Sequence, residues 1–241
     1  MRFDPQPRRG AGAALFLVAM KPFPLLIGVW AVAILLAVLF GAWGFDDWRG
    51  FLAHPARLGV LAVFFARFAF GLVVHLPTGP HPRDLPQRLP ERAFFAWLVV
   101  AFLMVLVSPA ADRRGWFVLP GGDGLRFAGL TMVAAGVALA TWAQRHLARM
   151  FSGFLAIQPD HRLVTDGPFA RVRHPRYAGL MLLLIGLPLV FRSGLGLAGG
   201  LLGCVLFVTR IFREERMLAG AFGAEWTAYC RNTRRLVPGV Y

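Results

Sequence analysis

Lysine is all but missing from this 241-residue chain: Lys21 stands alone among 26 basic side chains, and the others are arginines. Acidic residues number only 12, and charged residues of both signs make up 16%. Soluble domains carry about 25% charged residues, so this chain, 57% hydrophobic, is not an ordinary soluble enzyme. Cysteine is scarce as well. Cys204 lies in an apolar segment and Cys230 near the end, a spacing that excludes a disulfide framework, a redox pair and a metal-binding cysteine set. Internal repeats and low-complexity tails are also lacking, which excludes repeat architectures.

What is present is apolar length. Mean hydropathy is +0.60, and runs near the roughly 20 residues needed to cross a bilayer recur along the chain. They cover about Phe23–Phe45, Arg57–His75, Ala93–Ser108 and Leu125–Trp142, with two shorter runs at Tyr177–Phe191 and Leu195–Phe212. Arg192-Ser193-Gly194 between the last two predicts a tight helical hairpin, with Pro188 bending its first arm. The expectation is an all-α integral membrane protein of about five to six transmembrane helices. Residues 1–124 would form the N-terminal, acceptor-side helices. Residues 125–241 would form the core, with a loop at 143–176, the hairpin at 177–212 and a helical tail at 213–241. The opening MRFDPQPRRG before an apolar run has the look of a signal peptide, but without a small-residue cleavage site a retained first span is expected.

The net charge of +14 would suit nucleic acid. Its carriers, however, gather in short loops beside apolar runs, where they follow the positive-inside rule and meet anionic headgroups. With a cytoplasmic N terminus, nineteen basic residues fall on the cytoplasmic side and six on the other, while Arg67 sits mid-span. This places both termini in the cytoplasm, in what is read as a bacterial inner membrane. Neither a nucleic acid nor an obligate protein partner is expected; membrane lipids are. The His75–Arg92 stretch, with five prolines, reads as a rigid connector, and Gly121-Gly122-Asp123-Gly124 as a turn rather than a phosphate loop.

Two polar clusters bracket the hairpin. Thr165-Asp166-Gly167-Pro168 is a turn signal, and Arg171, Arg173, His174 and Arg176 then crowd ahead of Tyr177. Pro175 suits the first position of a helix, whose open N–H groups and dipole favour a carboxylate. On the far arm Arg210 and Glu214 share a helix face, with Glu215 adjacent. Taken singly, each cluster also reads as a basic loop or a solvated helix end. Taken together, the hairpin would bring Glu214 and Glu215 to His174 and Tyr177. That arrangement offers partners for a ligand bearing a carboxylate, an ammonium and a cationic sulfur, with Tyr177, Phe169 or Trp226 as aromatic faces.

Four pieces in order resemble the integral membrane methyltransferases of the isoprenylcysteine carboxyl methyltransferase and phospholipid methyltransferase group: Arg149–Gly153, His161–Phe169, Arg173–Gly179 and Arg210–Pro238. The resemblance implies S-adenosylmethionine as cofactor, bound by Leu163, Val164, Gly167, Pro168, Arg173, His174, Pro175 and Tyr177. Glu215 would stand at the border of that site, with Arg210 and Glu214 facing the acceptor. No metal is implied. The acceptor would be lipophilic or small, carrying a carboxylate, amine, hydroxyl or thiol. The ending Pro238-Gly239-Val240-Tyr241 also resembles NADPH-dependent membrane sterol reductases, the alternative reading beside a non-catalytic membrane protein. Leu180 and the Arg213-Glu214-Glu215 run depart from the reductase pattern. Arg67, among Phe64, Phe65, Phe68 and Phe70, is costly inside a membrane. It is either paired for packing or placed to attract an anionic headgroup.

Overall fold

The computed structural model describes residues 22–74, 92–147 and 163–239. Seven α-helices lie among them: α1 (Pro22–Trp43), α2 (Trp48–Leu52), α3 (Pro55–Val74), α4 (Arg92–Arg114), α5 (Gly122–Leu147), α6 (Pro175–Val190) and α7 (Gly194–Asn232). Short 3₁₀ turns cover Phe45–Asp47 and Gly167–Ala170. Among the described residues there are no strands, only isolated bridges. The fold is all-helical, as the apolar runs predict. The proline-rich connector, Arg149–Gly153, His161-Arg162 and the last two residues lie outside the described residues.

By length and hydropathy α4, α5 and α7 suffice to cross a membrane, and a fourth span arises if the Phe45–Leu52 segment and α3, bent by 96°, count as one. At 16 residues, α6 falls short of the roughly 20 that a span needs. Three helices run well beyond the sequence reading. α5 covers Gly122–Leu147 rather than Leu125–Trp142, so the first five residues of the expected loop 143–176 are helical. The fourth helix runs through Pro109 to Arg114, where the run ended at Ser108, because Asp112 is drawn into a buried ion cluster. The second hairpin arm does not stop at Phe212. It continues as one helical run to Asn232, broken only at Gly223 (φ 50°, ψ −114°), so the tail is largely an extension of α7. Of the expected turn Gly121-Gly122-Asp123-Gly124, only Gly121 precedes α5; the φ of 114° and 55° at Gly121 and Gly122 reverses the chain, while Asp123 and Gly124 already lie in the first turn of the helix.

The α5–α6 contact positions everything near the site. A Cβ on Gly136 would lie 2.5 Å from the Gly179 carbonyl oxygen, and one on Gly129 would lie 2.7 Å from that of Gly186. The reciprocal distances are 2.6 and 2.8 Å. Both pairs are seven residues apart on each helix, so two antiparallel backbones touch at matched points. Small residues at such spacing let membrane helices approach closely.

At the end of the bundle away from the start of α6, charges clamp the helices. Arg126 binds Asp112 through both oxygens (2.7 and 2.8 Å) and donates to the Val190 carbonyl at 2.7 Å. Arg57 reaches Asp112 at 3.2 Å and lies over Trp43, 4.3 Å from its ring. One carboxylate thereby ties α3, α4 and α5 together, with α1 and α6 at its edge. Gly136→Ala tests the backbone contact. Overpacking costs about 1–3 kcal/mol, so this variant is expected to unfold at lower temperature in detergent. Gly220→Ala, where a Cβ meets nothing within 4 Å, is expected to be neutral or stabilised, since alanine favours helix by about 0.5–1 kcal/mol. Equal melting of the two variants would remove the contact as the organising constraint.

Candidate active site

The loop enters the site through Gly167. Its φ of 55° and a would-be Cβ only 2.2 Å from the His146 ring leave glycine alone able to stand there. The 3₁₀ turn follows, with Pro168 and Phe169 buried. Residues 171–174 then pair with the tail: Arg173 N–H donates to the Arg234 carbonyl at 2.7 Å, and His174 N–H to that of Arg235 at 3.0 Å. His174 caps α6 and Pro175 opens it, as the sequence pattern predicts.

Tyr177, in the first turn of α6, is buried. Its hydroxyl donates to Glu214 at 2.7 Å and accepts from Arg210 Nε at 2.8 Å. The Arg210 guanidinium also lies 5.9 Å from the Tyr177 ring centroid. Arg210 and Glu214 meet one phenol because i and i+4 share a helix face. The next position turns about 100° around a 3.6-residue helix, and Glu215 accordingly serves a different cluster. It accepts from Arg173 and Arg235, each through Nε at 2.9 Å. His174 Nε2 lies 3.4 Å from the same carboxylate without an aligned hydrogen bond, and is otherwise a buried nitrogen with no hydrogen-bond partner among the described residues. Arg173 reaches on to the Thr233 carbonyl at 2.6 Å.

Six of the predicted residues therefore converge: Arg173, His174, Tyr177, Arg210, Glu214 and Glu215. Pro175 is buried beside them as the start of α6. Leu163 stands apart, lining a cleft of about 340 Å³ between the loop and the end of α7, with Thr165, Glu225, Tyr229, Asn232 and Thr233. Gly167 and Pro168 shape the turn above it. Val164 is half-buried but does not line the cleft. Trp226 is buried with its ring centroid 5.7 Å from that of Tyr229. Tyr229 holds the loop by donating from its hydroxyl to the Phe169 carbonyl at 2.7 Å.

Sequence reasoning passed over Arg235, Tyr229 as a loop clamp, and the cleft's polar pair Glu225 and Asn232. For Arg235 the one available signal was an arginine pair just ahead of the Leu236-Val237-Pro238 ending. Arg173 and Glu215 are both nearly buried, with side chains 10% and 12% exposed. Neutralising one partner of a buried pair costs about 3–5 kcal/mol, so Glu215→Gln is expected to lower thermal stability sharply. Exposed substitutions stay within about 0.5 kcal/mol, which is the expectation for Arg213→Gln. If both variants melt alike, the Glu215 cluster contributes no net stability.

Comparison with known proteins falls on the same part of the chain. The sequence model of the isoprenylcysteine carboxyl methyltransferase family matches residues 129–220, from the α5–α6 contact to beyond Glu215. Protein-S-isoprenylcysteine O-methyltransferase B of Arabidopsis thaliana is 30% identical over 115 residues, 46% of this chain and 58% of that protein. A probable protein-S-isoprenylcysteine O-methyltransferase of rice (Oryza sativa subsp. indica) is 29% identical, with 65% of its length covered. The chain thus spans about three-fifths of these relatives. Cobalt-zinc-cadmium resistance protein CzcN of Cupriavidus metallidurans is 34% identical over 157 residues, 65% of this chain and 68% of that one. A solved structure of the eukaryotic intramembrane Ras methyltransferase, isoprenylcysteine carboxyl methyltransferase, matches 90% of this chain and 77% of its own. The TM-score is 0.55 at 21% identity, a likeness of fold. With more than two-thirds of a relative matched at 34% identity, the family's own sequence model on α5 to α7, and the same helical fold, the chain belongs to the isoprenylcysteine carboxyl methyltransferase family.

Proposed function

We propose that this integral membrane protein is an S-adenosylmethionine-dependent methyltransferase whose acceptor is a carboxylate on a lipophilic molecule. The observation that carries the reading is the buried Arg210–Tyr177–Glu214 chain set beside the Glu215 cluster. The residues present fit the cofactor. His174 Nε2 is buried and lacks an aligned partner, and the cleft beside Leu163 falls in the range of about 300–1,000 Å³ typical of ligand sites. When bound, S-adenosylmethionine supplies an activated methyl group.

The chain's own residues would bind, orient and exclude water, the terms that dominate when little covalent chemistry is asked of a protein. Leu163, Val164, Gly167, Pro168, Arg173, His174, Pro175 and Tyr177 would hold the cofactor, with Glu215 keeping Arg173 and His174 in register. Arg210, whose Nε–H donates to the Tyr177 hydroxyl, would present its guanidinium charge to an anionic acceptor. Charge favours a carboxylate over an amine. Arg173, Arg176, Arg210 and Arg235 outnumber Glu214 and Glu215 in the cluster, and Arg176 lies within electrostatic reach of Arg210, Glu214 and Tyr177. A carboxylate is also ionised at neutral pH and needs no base. Where the acceptor is instead an amine, hydroxyl or thiol, Glu214 would take its proton. The printed names of the plant relatives, which speak of isoprenylcysteine, support the carboxylate class.

Thermal stability in detergent, with S-adenosylhomocysteine or NADPH added separately, tests the reaction class, because a ligand of the folded state raises it. The first compound is expected to stabilise and the second to have no effect; the reverse would favour the reductase reading. Transfer of labelled methyl to an S-prenylated cysteine, compared with an aminophospholipid, tests the acceptor. Arg210→Ala removes the cation that would face the acceptor, and Glu214→Gln loosens the carboxylate that orders the Tyr177 hydroxyl beneath Arg210. Both are expected to keep the stabilisation by S-adenosylhomocysteine and to lose turnover by about 10²-fold or more through misplacement of the acceptor. Tyr177→Ala is expected to weaken that stabilisation. Unchanged turnover in both of the first two variants would remove Arg210 and Glu214 from the reaction.

A further inference from the structure

A second cavity, of about 430 Å³, lies between α3 and α5, and its walls come from those two helices alone. Most of the lining is apolar, including Val63, Phe70, Val137 and Ala138, but Arg67 and Arg145 also face it. The two arginines flank one ring: Arg67 is one turn before Phe70, and the Arg145 guanidinium lies 5.6 Å from the Phe70 centroid. Arg67 donates to Gln144 at 3.0 Å. A guanidinium has five N–H donors, and among the described residues neither arginine has a carboxylate within ion-pair distance. Thr141, on the same wall, has a buried hydroxyl with no hydrogen-bond partner among the described residues. The rim is exposed and greasy, with Phe70 37% and Trp142 48% accessible.

We infer that this groove is a binding site for an anionic phospholipid, separate from the methyl-transfer site. An acyl chain fills the apolar walls, and the phosphate sits between Arg67 and Arg145. The Thr141 hydroxyl donates to an ester carbonyl. Arginines facing hydrocarbon without a counter-charge are costly, and a phosphate supplies that charge with paired acceptors. A zwitterionic headgroup would bring a cation against two arginines and is disfavoured. No residue of α6 or α7 lines the groove, whereas Tyr177, Arg210 and Glu214 all stand on those helices, so the groove fits a bound lipid better than a reacting acceptor. The inference does not depend on the methyl-transfer reading.

The test uses the purified full chain in detergent, with dioleoyl phosphatidylglycerol or dioleoyl phosphatidylcholine added at equal mole fraction. Lipid retained on the protein is counted by native mass spectrometry, and thermal stability is followed in parallel. Phosphatidylglycerol is expected to be retained and to stabilise, and phosphatidylcholine at least fivefold less so. Arg67→Gln, Arg145→Gln and the groove-filling Ala138→Trp are each expected to erase that preference by fivefold or more. Arg49→Gln, at the other end of the bundle over Trp48, is expected to keep it. Arg145→Gln and Ala138→Trp leave the Arg67–Gln144 bond intact, so they remain informative if Arg67→Gln fails to fold. Equal retention of the two lipids overturns the inference, as does a preference that survives both rim and filling variants. So does an Ala138→Trp protein that keeps phosphatidylglycerol but loses methyl transfer to an S-prenylated cysteine, for the groove would then be the acceptor's.

Discussion

Two backbones touching through glycine hold this molecule in shape. Where Gly129 meets Gly186 and Gly136 meets Gly179, the backbones of α5 and α6 touch, and a Cβ on any of the four would come within 2.8 Å of its partner's carbonyl oxygen. Lipid offers membrane helices no hydrophobic drive to associate, so close van der Waals contact and interhelical hydrogen bonds must do it. The consequence at the site end is direct. The start of α6, with His174, Pro175 and Tyr177, is set against the end of α5, where the His146 ring packs on Gly167. At the far end Arg126 of α5 grips the last carbonyl of α6, that of Val190. The rigid pair is then a wall against which α7 is laid.

On that wall one helix serves two purposes. Arg210 and Glu214 project along one line of α7 and meet the Tyr177 hydroxyl, while Glu215 projects to the side and collects Arg173 and Arg235. Because α7 continues to Asn232 and the chain then folds back, the tail supplies both a charge for Glu215 and carbonyls for the loop's N–H groups. Loop, hairpin and tail are thereby closed into one unit around a pair of carboxylates. Breaking Glu215 would loosen three segments at once, whereas breaking Glu214 would disturb one phenol and one guanidinium. The adjacent glutamates, indistinguishable by composition, are separated by the geometry of a single residue step.

Much of this was legible in the chain. Pro175 after a polar cap marked the start of α6, Gly167-Pro168 marked the turn, and the i,i+4 spacing put Arg210 and Glu214 on one face. The return of a hairpin brought them to Tyr177 without any knowledge of coordinates. What stayed hidden was pairing at long range. Arg235 meets Glu215 across 20 residues, and Asp112 meets Arg57 across 55; such contacts leave no period in a sequence. Pro109 hid the end of α4, because a proline in an apolar run reads as a stop. The ion cluster on Asp112 overrides that local preference. Likewise the fall in hydropathy after Phe212 reads as the end of a span, yet a helix leaving a membrane need not stop where the lipid does.

Arg67 shows how a burial argument gains direction from structure. In the sequence, packing and ligand attraction were equally good reasons for an arginine in mid-span. The Gln144 contact satisfies one donor and neutralises nothing, and among the described residues no carboxylate answers the charge on the groove side. On the other side Arg176 lies within electrostatic reach of Arg67, of Arg210 and of the Glu214 carboxylate, so a line of three arginines with one counter-charge at its site end links the groove to the Tyr177 hydroxyl. Salt screens poorly across partly buried groups, so an anion bound at Arg67 would ease the repulsion felt along that line. The lipid groove and the candidate site occupy different helices, yet they share one electrostatic field. In a chain with so few acidic side chains, a bound anionic headgroup is a natural source of the missing negative charge.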